Sequence, residues 1–513
     1  MNNTLRLFLL LFTSLLLSNG AFSLDEKGIA NRAKRLVEFF EKYHLKPRTL
    51  DAQFGQDVNQ LFVEYLDDSK FFLYQSDFEV LLASADSLFA EVEEKRIDHL
   101  LLLEKILIQR VQEAKIYTSE LLDEGIYALE IEGKYEDFTN FSADKNEFEK
   151  RWTETVAKLI HDEILESLEE DETLQNIDLT ARCEEAIKAV RSSLKGQFDY
   201  LLGTNDYFEL AYINCIAECY DPHSNYFNEH IKEEFSEELS SQRELFGITY
   251  QKTTDGTIEI TSIMPGSSAW YADGITPGDE LLFLTSSDGK SIDVTMATPA
   301  EVSDFFFGLE SDSIVLTLNS DGKKNEVSLV KSVVYSDEDI IKSALLKGDK
   351  NIGYISLPDF YTDWTDTSSL GCANDVAKSL LRLQKEGMDG MILDLRNNGG
   401  GSIKEAIDLV GIFINYGPII LEVDKEQTIY TYKDFNRGSI YRGPLIVLVN
   451  SSSASASEIV GAALQDYNRA LIVGQKSYGK ATGQMMYSLD PNVNPRFRGF
   501  IPENPEWGYA KVT

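Results

Sequence analysis

The sequence predicts a multidomain α+β protein, because its apolar periodicity changes twice along 513 residues. From residue 25 to about residue 195 the spacing is helical, as in the Leu-rich stripe of residues 96–117. Near residue 240 short alternating strands begin, separated by Pro-Gly turns at 265–266 and 277–278. From Asn351 onward apolar strands alternate with helices, which indicates an α/β layer with parallel strands.

These patterns predict three domains, and the length of the chain suits that number. We expect a helical domain at residues 24–238, a small β-rich domain with helices at 239–335, and an α/β domain at 336–513. The apolar fraction of 43% is sufficient for ordinary packed cores. In the α/β domain the predicted strands are IGYISL, GMILDL, PLIVLV and ALIV.

Residues 1–23 have the pattern of a secretory signal peptide. Arg6 supplies the positive charge, an apolar run follows from Leu7 to Ser18, and Ala21-Phe22-Ser23 provides the small residues of a cleavage site. An apolar run of about 12 residues is too short to span a bilayer, which takes roughly 20. No later stretch predicts a membrane span, so we expect an exported mature chain without one.

Composition argues against several classes of function. The net charge is −37, which makes contact with the phosphate backbone of nucleic acid unfavourable. The five histidines show no metal-binding spacing, so we predict neither a metal nor another cofactor. The cysteines are predicted to be small core residues rather than disulfide partners; they are Cys183, Cys215, Cys219 and Cys372.

A serine lies at a predicted strand-to-helix turn. The strand Leu445 to Val449 runs into a Ser/Ala turn, and a helix begins near Glu458. Ser455 and Glu458 fit a capping box, which is the simpler interpretation of the turn taken alone. A helix N-terminus also offers N–H groups to the oxyanion that forms when a serine attacks a carbonyl. With no G-x-S-x-G elbow and no histidine after His230, such a serine needs a different base.

Lys480 is the candidate base. The surrounding GQKSYGKAT, residues 474–482, resembles a phosphate-binding loop, but Ala481 stands where that loop needs a Mg²⁺-binding hydroxyl, and no helix is predicted to follow. A lysine acts as a base when burial lowers its pKa from about 10.4 toward 7–8. The candidates for its apolar wall are Tyr478, Met485 and Met486, with Gln484 to orient the amine.

A glycine-rich turn and a second serine complete the set of candidates. The turn LDLRNNGGGS, residues 393–402, lets backbone N–H groups approach a ligand closely and predicts an oxyanion donor. Ser477 forms S-x-x-K with Lys480, as in penicillin-binding proteins. The S-D-N and K-T-G motifs that accompany it there are absent from the sequence, which argues against that class.

Six segments occur in the order typical of the C-terminal-processing peptidases, and the chain resembles their periplasmic tail-specific protease branch. The resemblance covers nearly the whole mature chain and is most specific in the α/β part. The segments are DPHSNYF (221–227), MPGSSAWYADGITPGDELL (264–282), IGYISLPDFY (352–361), DLRNNGGGS (394–402), SASASEIVGAALQDYNRALIVG (453–474) and SYGKATGQ (477–484).

The resemblance implies a serine endopeptidase with a PDZ domain between the helical domain and a ClpP/crotonase-like layered α/β core. Ser455 matches the family nucleophile and Lys480 its base, a dyad that acts through an acyl-enzyme. Gln484 and Asp466 match two further family positions, although the residues themselves indicate only a helix-end role for Asp466. The implied oxyanion donors are the backbone N–H groups of Gly400 and Ala456.

The resemblance also implies how substrates are recognised. In ELFGITY, residues 244–250, the loop formed by Phe246, Gly247 and Ile248 matches the PDZ loop that binds a C-terminal carboxylate while the peptide adds as a strand. The implied substrates are unfolded or C-terminally tagged proteins, in processing or degradation of envelope proteins. The implied location is the periplasm, peripheral to the inner membrane, with an adaptor lipoprotein as a further partner.

One alternative belongs to a different class of protein. Members of the family continue past the position that matches Thr513, so we expect the chain to be truncated at its C-terminus. A chain that lacks the last catalytic strands would be an inactive PDZ module that only binds peptides. The sequence leaves both interpretations open.

Overall fold

The computed structural model describes residues 25–493 and 507–513, apart from short gaps. The gaps are 47, 124–137, 168–178, 204, 239–241, 254–256, 298–301, 304, 307–308, 310, 321, 336–339 and 363–369. The predicted signal peptide lies outside the described residues. No helix in the described part of the chain is long and apolar enough to cross a membrane.

The described residues form two compact units. The first ends at Tyr226 and also includes Ser303–Phe305 and Tyr487–Val512. The second comprises Phe227–Val302, Phe306–Met486 and Thr513.

The first unit is helical, as the sequence predicts. Asp25, Asp51 and Asp144 each accept a hydrogen bond from a backbone N–H in the first turn of the helix that follows, which satisfies donors that a helix start leaves unpaired. The predicted stripe of Leu100, Leu103, Leu107 and Val111 is buried. The helices are α1 (Glu26–Tyr43), α2 (Ala52–Asp67), α3 (Gln75–Ala85), α4 (Leu88–Glu93), α5 (Asp98–Asp123), α6 (Lys145–Glu166), α7 (Leu179–Gly203) and α8 (Asn205–Glu218).

Tyr487 and Leu489 contact α1, whereas the sequence pattern groups them with the α/β domain. The Arg35 Nε–H donates to the carbonyl of Leu489 at 3.0 Å, and the rings of Phe39 and Tyr487 lie 5.4 Å apart. A small sheet contains β1 (Asn225–Phe227), β17 (Met485–Ser488) and β18 (Tyr509–Val512). Its strand order is β1-β18-β17.

The first part of the second unit is an antiparallel sheet, in agreement with the predicted alternating strands. The elements are β2 (Gln242–Leu245), β3 (Ile248–Lys252), β4 (Ile258–Ile263), β5 (Glu280–Ser286), β6 (Ser291–Asp293), β7 (Ser313–Ser320), β8 (Lys323–Val330), β9 (Ser332–Tyr335), and the helices α9 (Glu229–Glu238) and α10 (Ser268–Tyr271). The order is β3-β4-β5-β7-β8, with β6 paired to β5, so β3 is an edge strand. A separate ribbon pairs β2 with β9. The sequence TPAEVSDFFFGL, residues 298–309, has a helical pattern and lies mostly outside the described residues.

The second part is an α/β layer whose four predicted strands are parallel neighbours. The bounds are β10 (Lys342–Leu346), β11 (Ile352–Ser356), β12 (Gly390–Asp394), β13 (Gly417–Val423), β14 (Ile429–Asp434), β15 (Leu445–Val449), β16 (Leu471–Gly474), α11 (Cys372–Lys385), α12 (Ile403–Phe413) and α13 (Ala456–Asp466). The sheet order is β10-β11-β12-β15-β16, and β10 alone in this sheet runs antiparallel to its neighbour. Helices α11, α12 and α13 contribute their apolar faces to the core of this layer.

All four cysteines are free. Three of them are buried, but Cys183 on α7 is only half-buried, so the prediction of a core position is wrong for Cys183.

The D-P-H-S motif has a structural role. The carboxylate of Asp221 lies 2.7 Å from Nε2 of buried His44 and accepts from the N–H of His223 and the hydroxyl of Ser224. These bonds close the loop that follows α8.

His99 predicts how the stability of the first unit depends on pH. Burial lowers the pKa of His99 from 6.5 to about 4; its Nδ1 lies 2.7 Å from the Ser84 hydroxyl, and its Nε2 has no partner among the described residues. The unfolded chain takes a proton below pH about 6.5 that the folded unit does not, so acid favours unfolding. The free energy of unfolding should fall by about 3 kcal/mol between pH 6.5 and 4. His99→Asn should flatten this slope in denaturant titrations, and parallel curves for the two proteins would contradict the assignment.

Candidate active site

Ser455 occupies a strained turn between β15 and α13. Its backbone has φ 54° and ψ −111°, a conformation that costs a non-glycine residue of order 1–3 kcal/mol and persists only where the surroundings enforce it. The side chain is half-buried, while Ala456, the first residue of the helix, is fully buried. The structure thus places the predicted serine at a helix N-terminus, in the kind of strained backbone that clusters at functional sites.

The turn is held from the neighbouring strand. Because β12 and β15 pair in parallel, the loops that follow them lie side by side at the carboxyl edge of the sheet. The hydroxyl of Ser453 donates to the carbonyl of Leu395 at 2.7 Å. The N–H of Ala454 and the hydroxyl of Ser457 both donate to the carbonyl of Asn398, at 3.0 and 3.1 Å. These bonds fix the serine turn against the glycine turn.

Gly400 is the glycine that lies against the serine. Its φ is 118°, and a Cβ added to it would lie 2.9 Å from the Cβ of Ser455 and 3.3 Å from the nitrogen of Ala456. Only a residue without a side chain fits there. The two predicted oxyanion donors therefore lie in one place.

The two predicted donors differ in what they already bind. The N–H of Gly400 donates to Oδ1 of Asn398 at 2.9 Å. Ala456 stands at the first position of α13, where a helix provides no acceptor, and its N–H has no acceptor elsewhere among the described residues. Of the two, only Ala456 has an N–H that is available as the structure stands.

Glu458 connects the serine to the lysine. Its Oε2 accepts from the backbone N–H groups of Ser455 and Lys480, both at 2.9 Å, so the two nitrogens lie within about 6 Å of each other. Its Oε1 accepts from the hydroxyl of Ser477 and the N–H of Gly479, both at 2.7 Å. The predicted capping box is present, and the same carboxylate also fixes the lysine loop.

These bonds determine the charge state of Glu458. Burial raises its pKa, but hydrogen bonds from Ser477 and from the N–H groups of Ser455, Gly479 and Lys480 outweigh burial, so the pKa of Glu458 lies below its ordinary value. The carboxylate is therefore ionised at neutral pH, as an acceptor of four donors requires. Sequence reasoning assigned Glu458 only to the helix cap, because nothing local links it to the lysine loop.

The lysine and its predicted neighbours lie on the segment that follows β16. Lys480 is half-buried, and Met485 and Met486 are half-buried too, but Tyr478 is 66% exposed and offers little apolar cover. The side-chain amide of Gln484 donates to the hydroxyls of Thr482 and Thr513, at 3.2 and 3.1 Å. Gln484 thus braces this segment.

Asp466 is not brought to the serine. It is the last residue of α13, whose first residue follows Ser455, and it is exposed. Ten residues of helix separate the two ends by about 15 Å. The position fits the helix-end role that the residues themselves indicate.

A charged cluster, not predicted from the sequence, lies at the end of β12. Asp394 is buried and accepts from Arg396 Nη2 at 2.6 Å and from the hydroxyl of Tyr354 at 2.7 Å. Burial raises the pKa of Asp394, but the bonds from Arg396 and Tyr354 outweigh it and lower the pKa below its ordinary value. The pair anchors the start of the glycine turn, next to the serine.

The predicted peptide-binding loop precedes the edge strand β3. Phe246 is buried, and Gly247 has φ 86°, with no room for a side chain because a Cβ would lie 2.0 Å from Ser267. Ile248 is half-buried and is the first residue of β3. The loop thus leads directly into the strand whose outer edge is unpaired among the described residues.

Comparison with known proteins finds similarity in two parts of the chain. Residues 351–498 match the model of Peptidase family S41, and residues 36–230 match the tail specific protease N-terminal domain. The resemblance inferred from the motifs of the chain is therefore confirmed. Its relatives carry the names tail-specific protease and carboxyl-terminal-processing protease.

Two relatives and one solved structure give the extent of the similarity. A tail-specific protease from Haemophilus influenzae is 28% identical over 468 residues, which cover 89% of this chain and 64% of that protein. A carboxyl-terminal-processing protease from a Picosynechococcus species is 29% identical over 259 residues, 49% of this chain and 58% of that one. The photosystem II D1 C-terminal processing protease aligns with a TM-score of 0.31 and 20% identity, over 70% of this chain and 87% of that one. The chain thus spans less than two thirds of the length of either relative.

Glu458→Gln should loosen the lysine loop. An amide presents one oxygen and one NH₂, so it cannot accept all four donors that surround the carboxylate. We expect a loss of stability of about 2 kcal/mol and amide hydrogen exchange at Gly479 and Lys480 that is at least about tenfold faster. Glu426→Gln, which changes an exposed carboxylate, is the control and should leave both unchanged. Unaltered exchange in Glu458→Gln would show that other contacts hold the loop.

Proposed function

We propose that this chain is a serine endopeptidase in which Ser455 is the nucleophile and Lys480 the general base. The observation that carries the proposal is the shared carboxylate of Glu458, which binds the backbone of both residues through one oxygen. Helix-start geometry, the strained backbone of Ser455 and the adjoining Gly400 support it. The similarity to peptidases named as serine and tail-specific proteases supports the same class of reaction.

The reaction proceeds through an acyl-enzyme. Neutral Lys480 takes the proton of the Ser455 hydroxyl as Oγ attacks the substrate carbonyl, and the oxyanion accepts from the N–H groups of Ala456 and Gly400. Lys480 passes the proton to the leaving amine as the peptide bond breaks. It then takes a proton from water, which attacks the acyl group and releases the carboxylate, and the proton returns to Ser455. No metal or cofactor enters any step.

Substrate recognition uses the β-rich part of the second unit as a PDZ domain. A peptide would add to the open edge of β3 while the loop of Phe246 and Gly247 binds its terminal carboxylate through backbone N–H groups. Ile248 would contribute to an apolar subsite for the last side chain. The proposed substrates are therefore unfolded or tagged proteins that have a free, apolar C-terminus. An exported location agrees with the signal-peptide pattern of residues 1–23.

A second candidate is a peptide-binding module without catalysis. One observation favours this binding module: the N–H of Gly400 is already bound to Asn398. Of the two predicted oxyanion donors, this leaves the N–H of Ala456 available. The open edge of β3 is a property of the sheet and needs no catalytic core. The two candidates differ in whether Ser455 reacts.

Cleavage of an unstructured protein with an apolar C-terminus separates the candidates. Ser455→Ala and Lys480→Ala should each lower kcat by at least about 10⁴-fold, because each removes a reacting group. Ser477→Ala should lower kcat less than about tenfold, since the Ser477 hydroxyl supplies one of the four hydrogen bonds to Glu458. Mass spectrometry measures product formation and so distinguishes the two candidates. Circular dichroism verifies that each variant is folded. Binding of the substrate without cleavage by the unmodified chain would leave the binding module as the function.

Blocking the substrate's C-terminus tests the recognition step. A C-terminal amide removes the negative charge that the loop of Phe246 and Gly247 would bind. We expect kcat/KM for the amidated peptide to fall about tenfold or more relative to the free acid, mostly through KM. A peptide amidated only on an internal side chain is the control. Equal cleavage of the free acid and the terminal amide would show that the carboxylate is not recognised.

A further inference from the structure

Asn398 joins three parts of the site through a side chain that is fully buried. Its Nδ2 donates to the carbonyl of Leu357, at the end of β11, at 3.0 Å. Its Oδ1 accepts from the N–H of Gly400 at 2.9 Å. Its backbone carbonyl accepts from Ala454 and Ser457 in the serine turn. One residue thus sets the glycine turn against both the sheet and the nucleophile.

The peptide groups on both sides of Gly400 are fixed. The carbonyl of Gly400 accepts from the N–H of Phe360 at 2.8 Å, while its N–H faces Asn398. The carbonyl of Asn398 points to the serine turn, so the N–H of the next residue, Gly399, in the same planar trans peptide, points the opposite way. Gly399 therefore cannot replace Gly400 as a donor next to Ser455.

We propose that Asn398 is a positioning residue that holds the Gly400 N–H until an oxyanion forms and then shares or releases it. The inference rests on the proposed peptidase function. A neutral substrate carbonyl competes with the amide oxygen of Asn398 on equal terms, so it gains little from Gly400. A full negative charge forms a hydrogen bond roughly twice as strong and wins the donor. The second donor is thereby offered to the transition state and withheld from the ground state.

This selectivity has a kinetic consequence. An interaction made only in the transition state raises kcat and leaves KM unchanged. Asn398 should therefore affect kcat and the affinity for a charged tetrahedral adduct, but not the binding of substrate. A role in structure alone would change stability and substrate binding together.

Asn398→Asp is the test variant, because it keeps the shape and the acceptor of Gly400 but adds a charge and loses the donor to Leu357. The added carboxylate retains the N–H and repels the oxyanion, so kcat should fall about 10²-fold or more with KM within about threefold. The affinity for a peptide aldehyde should fall in parallel. The ratio of the variant's kcat to that of the unmodified enzyme should rise as pH falls, because protonation removes the charge.

Ser457→Ala is the matched control. It removes one hydrogen bond to the backbone carbonyl of Asn398 and leaves Oδ1 untouched, so kcat should fall less than about fivefold. Equal losses in the two variants, or a pH-independent ratio for Asn398→Asp, would overturn the inference and leave Asn398 a structural tie. An unmodified chain that does not cleave, or a Ser455→Ala variant that cleaves as fast, would refute the proposed function and the inference with it. Cleavage by the unmodified chain with an unchanged kcat in Asn398→Asp would refute the inference alone.

Discussion

The arrangement of the site depends on one ionised carboxylate. Glu458 accepts four hydrogen bonds from the two segments it joins: the serine turn at the helix start contributes one, and the lysine loop contributes the other three. A neutral group of the same size cannot satisfy so many donors, and an ionised one is stable there because the donors offset its burial. Hydrogen bonds to this ionised carboxylate, rather than apolar packing, thus hold the lysine backbone near the serine.

The sheet supplies the second constraint. Neighbouring parallel strands end at the same edge, so the loops after β12 and β15 meet there whatever their sequences. What the local sequence adds is small size: glycine at 400 permits the close approach, and Ser453, Ala454 and Ser457 of the serine turn donate to carbonyls of the opposite loop. Fold and residue size together define where a reacting carbonyl would sit.

Much of this was predictable from periodicity and turn chemistry. The four parallel strands, the alternating strands of the second unit, the helical stripe of α5 and the capping box at Ser455 are local patterns, and the structure contains them. The roles of Glu458, Asn398 and Asp394 are not local, since each bonds to a segment that is distant in the chain, and no periodicity reports such pairs. The same limit explains why local pattern alone groups the strand Tyr509–Val512 with the α/β domain, although this strand belongs to the helical unit.

The left-handed backbone conformation of Ser455 has a consequence for the folding of the chain. A residue with φ 54° is unfavourable in isolation and is adopted only when the helix, the opposite loop and the lysine segment are all assembled. A chain that is still emerging or partly folded has an ordinary backbone conformation at this position. The strained conformation therefore appears only with completion of the core, so the geometry of this turn reports that the α/β part has finished folding.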